Sequence, residues 1–182
     1  SVYGGAGNDL VSIAGGITSD KLFGNSGDDS FVLGGYITDT TVDVGNGADS
    51  IKLGADAVTR KLIVTGALTS TSVTGGGGAD SITFKAAVSD GSISGGAGAD
   101  SLYFSTTANN TSIVGGAGAD TVSLSGANDF LVLKADTSSD RLFAGSGNDT
   151  LSVAGDSLVR TTMYGGAGDD YLEGNAGDDR LV

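Results

Sequence analysis

The chain has 182 residues, with 22 acidic against 9 basic side chains for a formal net charge of -13, and it holds 33 Gly but no Pro, Cys, His or Trp. That charge argues against nucleic acid or an anionic membrane as partner and for a cation. The missing residue types exclude disulfides, Cys/His zinc sites and histidine-based catalysis. Because 38% of the residues are hydrophobic, the glycine does not mark a flexible linker. No apolar run approaches the ~20 residues of a membrane-spanning helix.

From the amino terminus the chain alternates glycine-rich hexamers with short apolar segments. Gly4-Gly5-Ala6-Gly7-Asn8-Asp9 precedes Val11-Ser12-Ile13, turn 24–29 precedes Phe31-Val32-Leu33, and turn 44–49 precedes Ile51-Lys52-Leu53. Turn 75–80 leads into Ile82-Thr83-Phe84, turn 95–100 into Leu102-Tyr103-Phe104, and turn 115–120 into Val122-Ser123-Leu124. Turn 144–149 leads into Leu151-Ser152-Val153, and turns 165–170 and 174–179 close the series. Apolar residues at alternate positions, many of them β-branched or aromatic, predict strands, and no window carries a helical stripe. The hexamers predict tight turns, and Asp is the acid such turns select, because its short side chain bonds nearby backbone. Only Glu173 among the acids is Glu.

The closing Asp residues stand at 9, 29, 49, 80, 100, 120, 149, 170 and 179, so the steps are 20, 20, 31, 20, 20, 29, 21 and 9. Two steps are one and a half units and one is a half, which makes ten residues the basic rhythm. Asp20, Asp39, Asp90, Asp129 and Asp140 fall at intermediate positions, in turns that mostly lack the glycines, while Arg60, Ser70, Asn110 and Arg160 break the series. Each half-unit is one strand and one turn, and two make a flattened coil. About nine coils stacked at roughly 4.8 Å give an all-β parallel solenoid on the order of 40 Å long. Residues 1–182 read as one such unit. It begins inside one repeat and ends inside another, as expected of a piece of a longer repeat protein.

Stacking aligns like turns. Asp9, Asp29 and Asp49 form a column at one edge. The 31-residue step carries the glycine-rich turn to the other edge, where Asp80, Asp100 and Asp120 align, and the 29-residue step carries it back to Asp129, Asp149 and Asp170. Asp179 opens a further column at the second edge. Two carboxylates about 5 Å apart repel by roughly 1 kcal/mol in water and several times more at reduced dielectric, so such a column calls for cations. Carboxylates with converging carbonyls form the hard, all-oxygen cage that suits calcium. Columns of three turns leave two gaps each, which gives about six Ca2+ ions, give or take two or three. The intermediate Asp20, Asp39, Asp90 and Asp140 read as turn-bonding residues instead of ligands, and Arg60 and Arg160 read as ordinary surface arginines sooner than as stand-ins for a cation.

The turns match Gly-Gly-x-Gly-x-Asp-x-U-x, where U is a large apolar residue, as in Val11, Ile82, Leu102, Val122 and Leu172. In this the chain resembles the RTX calcium-binding repeat proteins over essentially its whole length. The resemblance implies a right-handed parallel β-roll in a bacterial protein exported by type I secretion. It places on calcium the carboxylates of the closing Asp residues 9 to 179, Asp129 included. To these it adds the backbone carbonyls of Gly5, Gly7, Asn25, Gly27, Gly45, Gly47, Gly76 and Gly78, and of Gly96, Gly98, Gly116, Gly118, Gly145, Gly147, Gly166 and Gly168. The usual nine-residue array is absent, since only the steps from Asp170 to Asp179 and from Asp120 to Asp129 have that spacing. The pattern is more like surface-layer and haemolysin-like repeat proteins than the compact tail of a secreted protease. No acid–base or nucleophile constellation points to an enzyme. The expected function is a calcium-rigidified structural module of an extracellular cell-surface protein, a surface layer, fibril or adhesin, self-associating or packed on neighbouring repeats. The other function compatible with the sequence is the folding-and-secretion domain of an enzyme or toxin whose active part lies outside this chain.

Overall fold

A computed structural model describes residues 1–125, 130–134, 140–154, 160–174 and 176–182. Its elements are all strands. One face of the solenoid is a ten-stranded parallel sheet of Val2–Ala6, Lys21–Ser26, Thr40–Asp43, Lys61–Thr65, Ser81–Phe84, Ser101–Phe104, Thr121–Leu124, Arg141–Ser146, Thr162–Ala167 and Arg180–Leu181. The opposite face is a nine-stranded parallel sheet of Leu10–Ile13, Ser30–Leu33, Ser50–Leu53, Ser72–Thr74, Ser92–Ala97, Thr111–Ala117, Phe130–Lys134, Thr150–Ala154 and Tyr171–Glu173. The chain visits the faces alternately, so neighbours in a sheet are one coil apart in sequence.

Strand alternation decides what enters the core. Phe31 and Leu33 are 0% and 1% exposed, whereas Val32 between them is 36% exposed. In-register pairing then lines up like positions of successive coils. Leu22, Val42, Val64, Phe84, Phe104 and Leu124 form one inward column of the first face, all buried. Within it the rings of Phe84 and Phe104 stack with centroids 4.5 Å apart. A single coil has nothing to cover such a row, so its burial depends on the coils above and below.

The two faces meet at two edges. Five corners without the glycine motif use a short extra strand instead: Ile17–Thr18 pairs with Ile37–Thr38, and Leu68–Thr69, Val88–Ser89 and Ala108–Asn109 form a second set. Each short strand is followed by a residue with positive φ, among them Asp39 at 49° and Asp90 at 54°. Asp and Asn tolerate this conformation better than most side chains. Asp39 pairs with Lys61 at 2.5 Å and Asp90 accepts from the Asn110 amide, so both serve the corner.

Candidate metal centre

The glycine-rich turns occupy alternate edges as the step lengths predict. Turns 4–9, 24–29 and 44–49 run from the first face to the second. After Asp49 the chain completes one and a half coils, and turns 75–80, 95–100 and 115–120 run from the second face to the first. Turns 144–149 and 165–170 are back on the first edge, and turn 174–179 is on the second. Asp129 lies outside the described residues.

Successive closing Asp residues are bonded to one another. Asp29 Oδ1 accepts the backbone N–H of Asp9 and Asp49 Oδ1 that of Asp29, both at 2.8 Å. On the second edge Asp80, Asp100 and Asp120 accept through Oδ1 from Arg60, Asp80 and Asp100 at 2.8 Å. Asp140 accepts from Asp120 at 3.0 Å. Farther along, Asp170 accepts from Asp149 and Asp179 from Thr161. Asp140 therefore belongs to the second-edge column and not with the corner residues, where its glycine-poor turn placed it in the sequence. The 20-residue step from Asp120 was the signal.

One oxygen of each accepting carboxylate is thus used by the backbone. The Oδ2 atoms of Asp9, Asp29, Asp49, Asp80, Asp100 and Asp179 are buried, and among the described residues they have no hydrogen-bond partner. A buried carboxylate oxygen without a partner is costly and rare in a native protein. A second oxygen lies beside it. A Cβ on Gly4 would sit 2.8 Å from Asp9 Oδ2 and 2.9 Å from the Gly24 carbonyl oxygen. A Cβ on Gly95 would be 2.5 Å from both Asp100 Oδ2 and the Gly115 carbonyl oxygen. Asp29 Oδ2 with the Val44 carbonyl, and Asp80 Oδ2 with the Gly95 carbonyl, repeat the pattern at Gly24 and Gly75.

Where the first position of the motif is Gly, as at Gly4, Gly24, Gly75 and Gly95, its missing side chain leaves a space lined by a carboxylate oxygen and the first carbonyl of the next turn; Val44 and Ala144 take that position in turns 44–49 and 144–149. The second and fourth positions are required for conformation. Gly5 and Gly7 have φ of 123° and 107°, and Asn25 takes the same place at 76°. The carbonyls of these positions, which the family resemblance assigns to metal, face the next coil: a Cβ on Gly96 or Gly118 would clash with the carbonyl oxygen of Gly76 or Gly98. The first-position carbonyls of Gly24, Val44, Gly95 and Gly115 were not singled out from sequence, although a glycine without positive φ at the first position of seven of the nine turns was a usable sign of them.

Burial pushes the Asp80 carboxyl up to about 7 and raises those of Asp49 and Asp100, although each accepts a backbone N–H that pulls the other way. Neighbouring Asp charges add to the rise at Asp49 and Asp80. Buried anions in a row with unsatisfied oxygens are a site short of positive charge. Among the described residues no three His, Cys, Asp or Glu side chains converge. A cation here would meet one or two carboxylates and otherwise backbone carbonyls, an all-oxygen set that fits calcium and not a thiolate- or imidazole-seeking metal.

Residues 3–35, 92–108, 105–136, 132–157 and 161–182 match the family model described as RTX calcium-binding nonapeptide repeat (4 copies). No curated protein and no solved structure matches the chain. The matched stretches, roughly two thirds of the chain, carry the glycine turns and orphaned carboxylates of Asp9, Asp29, Asp100 and Asp179, while those of Asp49 and Asp80 fall in the unmatched 36–91. By sequence match and by the architecture of its turns, the chain belongs to the RTX calcium-binding repeat family and is a calcium-binding repeat module folded as a parallel β-solenoid.

Proposed function

We propose that this module is a calcium-stiffened segment of an exported bacterial cell-surface protein, in a surface layer, fibril or adhesin. The ions lie between successive turns of each edge, held by the closing Asp carboxylates and turn carbonyls, about six in all. The observation that carries this reading is the row of buried, partnerless Oδ2 atoms along both edges. Calcium neutralises them only where its concentration is high. Extracellular sites of this kind have dissociation constants of ~10⁻⁴–10⁻³ M, so the rod completes its fold after export. At ~10 mM calcium each filled site then contributes roughly 1.4–2.7 kcal/mol.

The rod form favours a structural role. Its two sheets run the length of the described chain and leave plain corners rich in Ser and Thr at the edge opposite each glycine column. Imaging of the full-length protein with and without calcium tests the assignment. Lattices or filaments that disappear with chelator are expected. A discrete monomer with hydrolase or toxin activity would overturn it in favour of an export module.

A further inference from the structure

Arg60 is the largest fully buried side chain among the described residues, at 0% exposure, in place of the exposed position its sequence context predicts. Its counterpart Arg160 is exposed. The Arg60 guanidinium donates to four backbone carbonyls: Gly35 at 3.1 Å, Gly34 at 3.2 Å, and Val58 and Gly77 at 2.9 Å each. It also pairs with the Asp56 carboxylate, and Asp80 Oδ1 lies 3.9 Å away. Four carbonyls and two carboxylates from three successive coils converge on one positive group. The backbone of Arg60 keeps the column bond, donating to Asp80 Oδ1 at 2.8 Å.

The geometry points to Arg60 as a built-in cation that opens the second-edge row, filling between turns 54–60 and 75–80 the place that calcium takes farther along. This rests on the reading that calcium lies between successive turns. Turn 54–60, Gly54-Ala55-Asp56-Ala57-Val58-Thr59-Arg60, has no glycine after its first residue. Turn 75–80 nevertheless stacks on it, with Gly77 N–H bonded to the Gly54 carbonyl at 3.1 Å. The carbonyls that converge there need a cation, and a planar fork of five N–H donors supplies both the charge and the hydrogen bonds. The position is a particular one. The first-edge column ends at Asp49 and the second begins at Asp80, so Arg60 ties the coils together where the turns change edge. Residues 36–91 are also the stretch that the family match leaves out, so a protein-supplied cation stands where the repeat departs from the family pattern.

Anomalous density from calcium-loaded crystals of the whole chain tests this. Peaks are expected between the Asp29 and Asp49 turns and between the Asp80 and Asp100 turns, with none beside the guanidinium. A calcium peak between turns 54–60 and 75–80 with Arg60 displaced overturns the inference. If the Asp columns hold no peaks either, it is the reading beneath it that fails. Arg60→Asp places a carboxylate where the cation was, and bound calcium measured by equilibrium dialysis should rise by about one ion per folded chain; an unchanged count contradicts the assignment. Should Arg60→Asp not fold, Arg60→Met keeps the stem without the charge. At limiting calcium the amides of residues 60, 77 and 81 should then exchange about tenfold faster or more while that of Asp29 is unmoved. Equal acceleration at all four sites, or none, overturns the inference.

Discussion

Two seams on the second edge share one backbone plan and differ in where positive charge comes from. Between turns 75–80 and 95–100, Asp100 Oδ1 accepts the Asp80 N–H and the Oδ2 atoms of both residues are left buried without a partner. Between turns 54–60 and 75–80 the same bond recurs, from Arg60 N–H to Asp80 Oδ1, but a guanidinium fills the interior and satisfies the carbonyls. The comparison separates two requirements that the motif usually merges. Stacking of turns needs the backbone-to-Oδ1 bond. Neutralising the interior needs a cation, and either the chain or the solvent can provide it.

Removing the protein's own cation should have the largest effect. Arg60→Met removes the positive charge 3.9 Å from buried Asp80 and paired with Asp56, and breaking a buried pair costs about 3–5 kcal/mol. Urea midpoints at the lowest calcium that keeps the chain folded should show this loss, and a smaller one in excess calcium. A loss independent of calcium would break the equivalence of the two seams. Filling the metal-side space should cost less. Gly95→Ala puts a Cβ against Asp100 Oδ2 and the Gly115 carbonyl, at about 1–3 kcal/mol for overpacking, and should reduce bound calcium in calorimetric titration. Gly15→Ala meets nothing within 4 Å and should stay within about 0.5 kcal/mol of the parent. Equal melting shifts for the two would show that the first-position space has no role.

Acidity should act most mildly. In the metal-free fold the raised carboxyls of Asp80, Asp49 and Asp100 hold protons that the unfolded chain, with values near 3.8, has released. That contribution is fully present below about pH 3.8 and is lost as pH rises through the folded values, near 7 for Asp80. On the proposed assignment calcium displaces these protons, so its affinity should climb across the same window. In chelator, circular dichroism should show more strand at about pH 5 than at about pH 8, and the calcium midpoint should be higher at the acid value. The reverse order would contradict the buried, cation-poor edge.

Much of this was legible in the sequence because coil geometry converts spacing into position. Steps of 20 residues keep Asp9, Asp29 and Asp49 on one edge, and the step of 31 to Asp80 adds a half coil, which puts the turn on the other edge. Alternation in segments such as Phe31-Val32-Leu33 marked the core. What stayed hidden depends on contacts distant in the chain. The Oδ1 bond to the preceding turn and the place of the Gly115 carbonyl beside Asp100 follow from a side-chain orientation that spacing does not encode. Arg60 looks like any surface arginine, since the carbonyls of Gly34 and Gly35 that bury it come from the coil before.

On the proposed function, cations between stacked turns hold this solenoid together. A calcium titration of the chain followed by far-ultraviolet circular dichroism tests it most directly. Strand signal that is lost in excess chelator and returns cooperatively as calcium is added is the predicted result. An unchanged strand spectrum in excess chelator would contradict it.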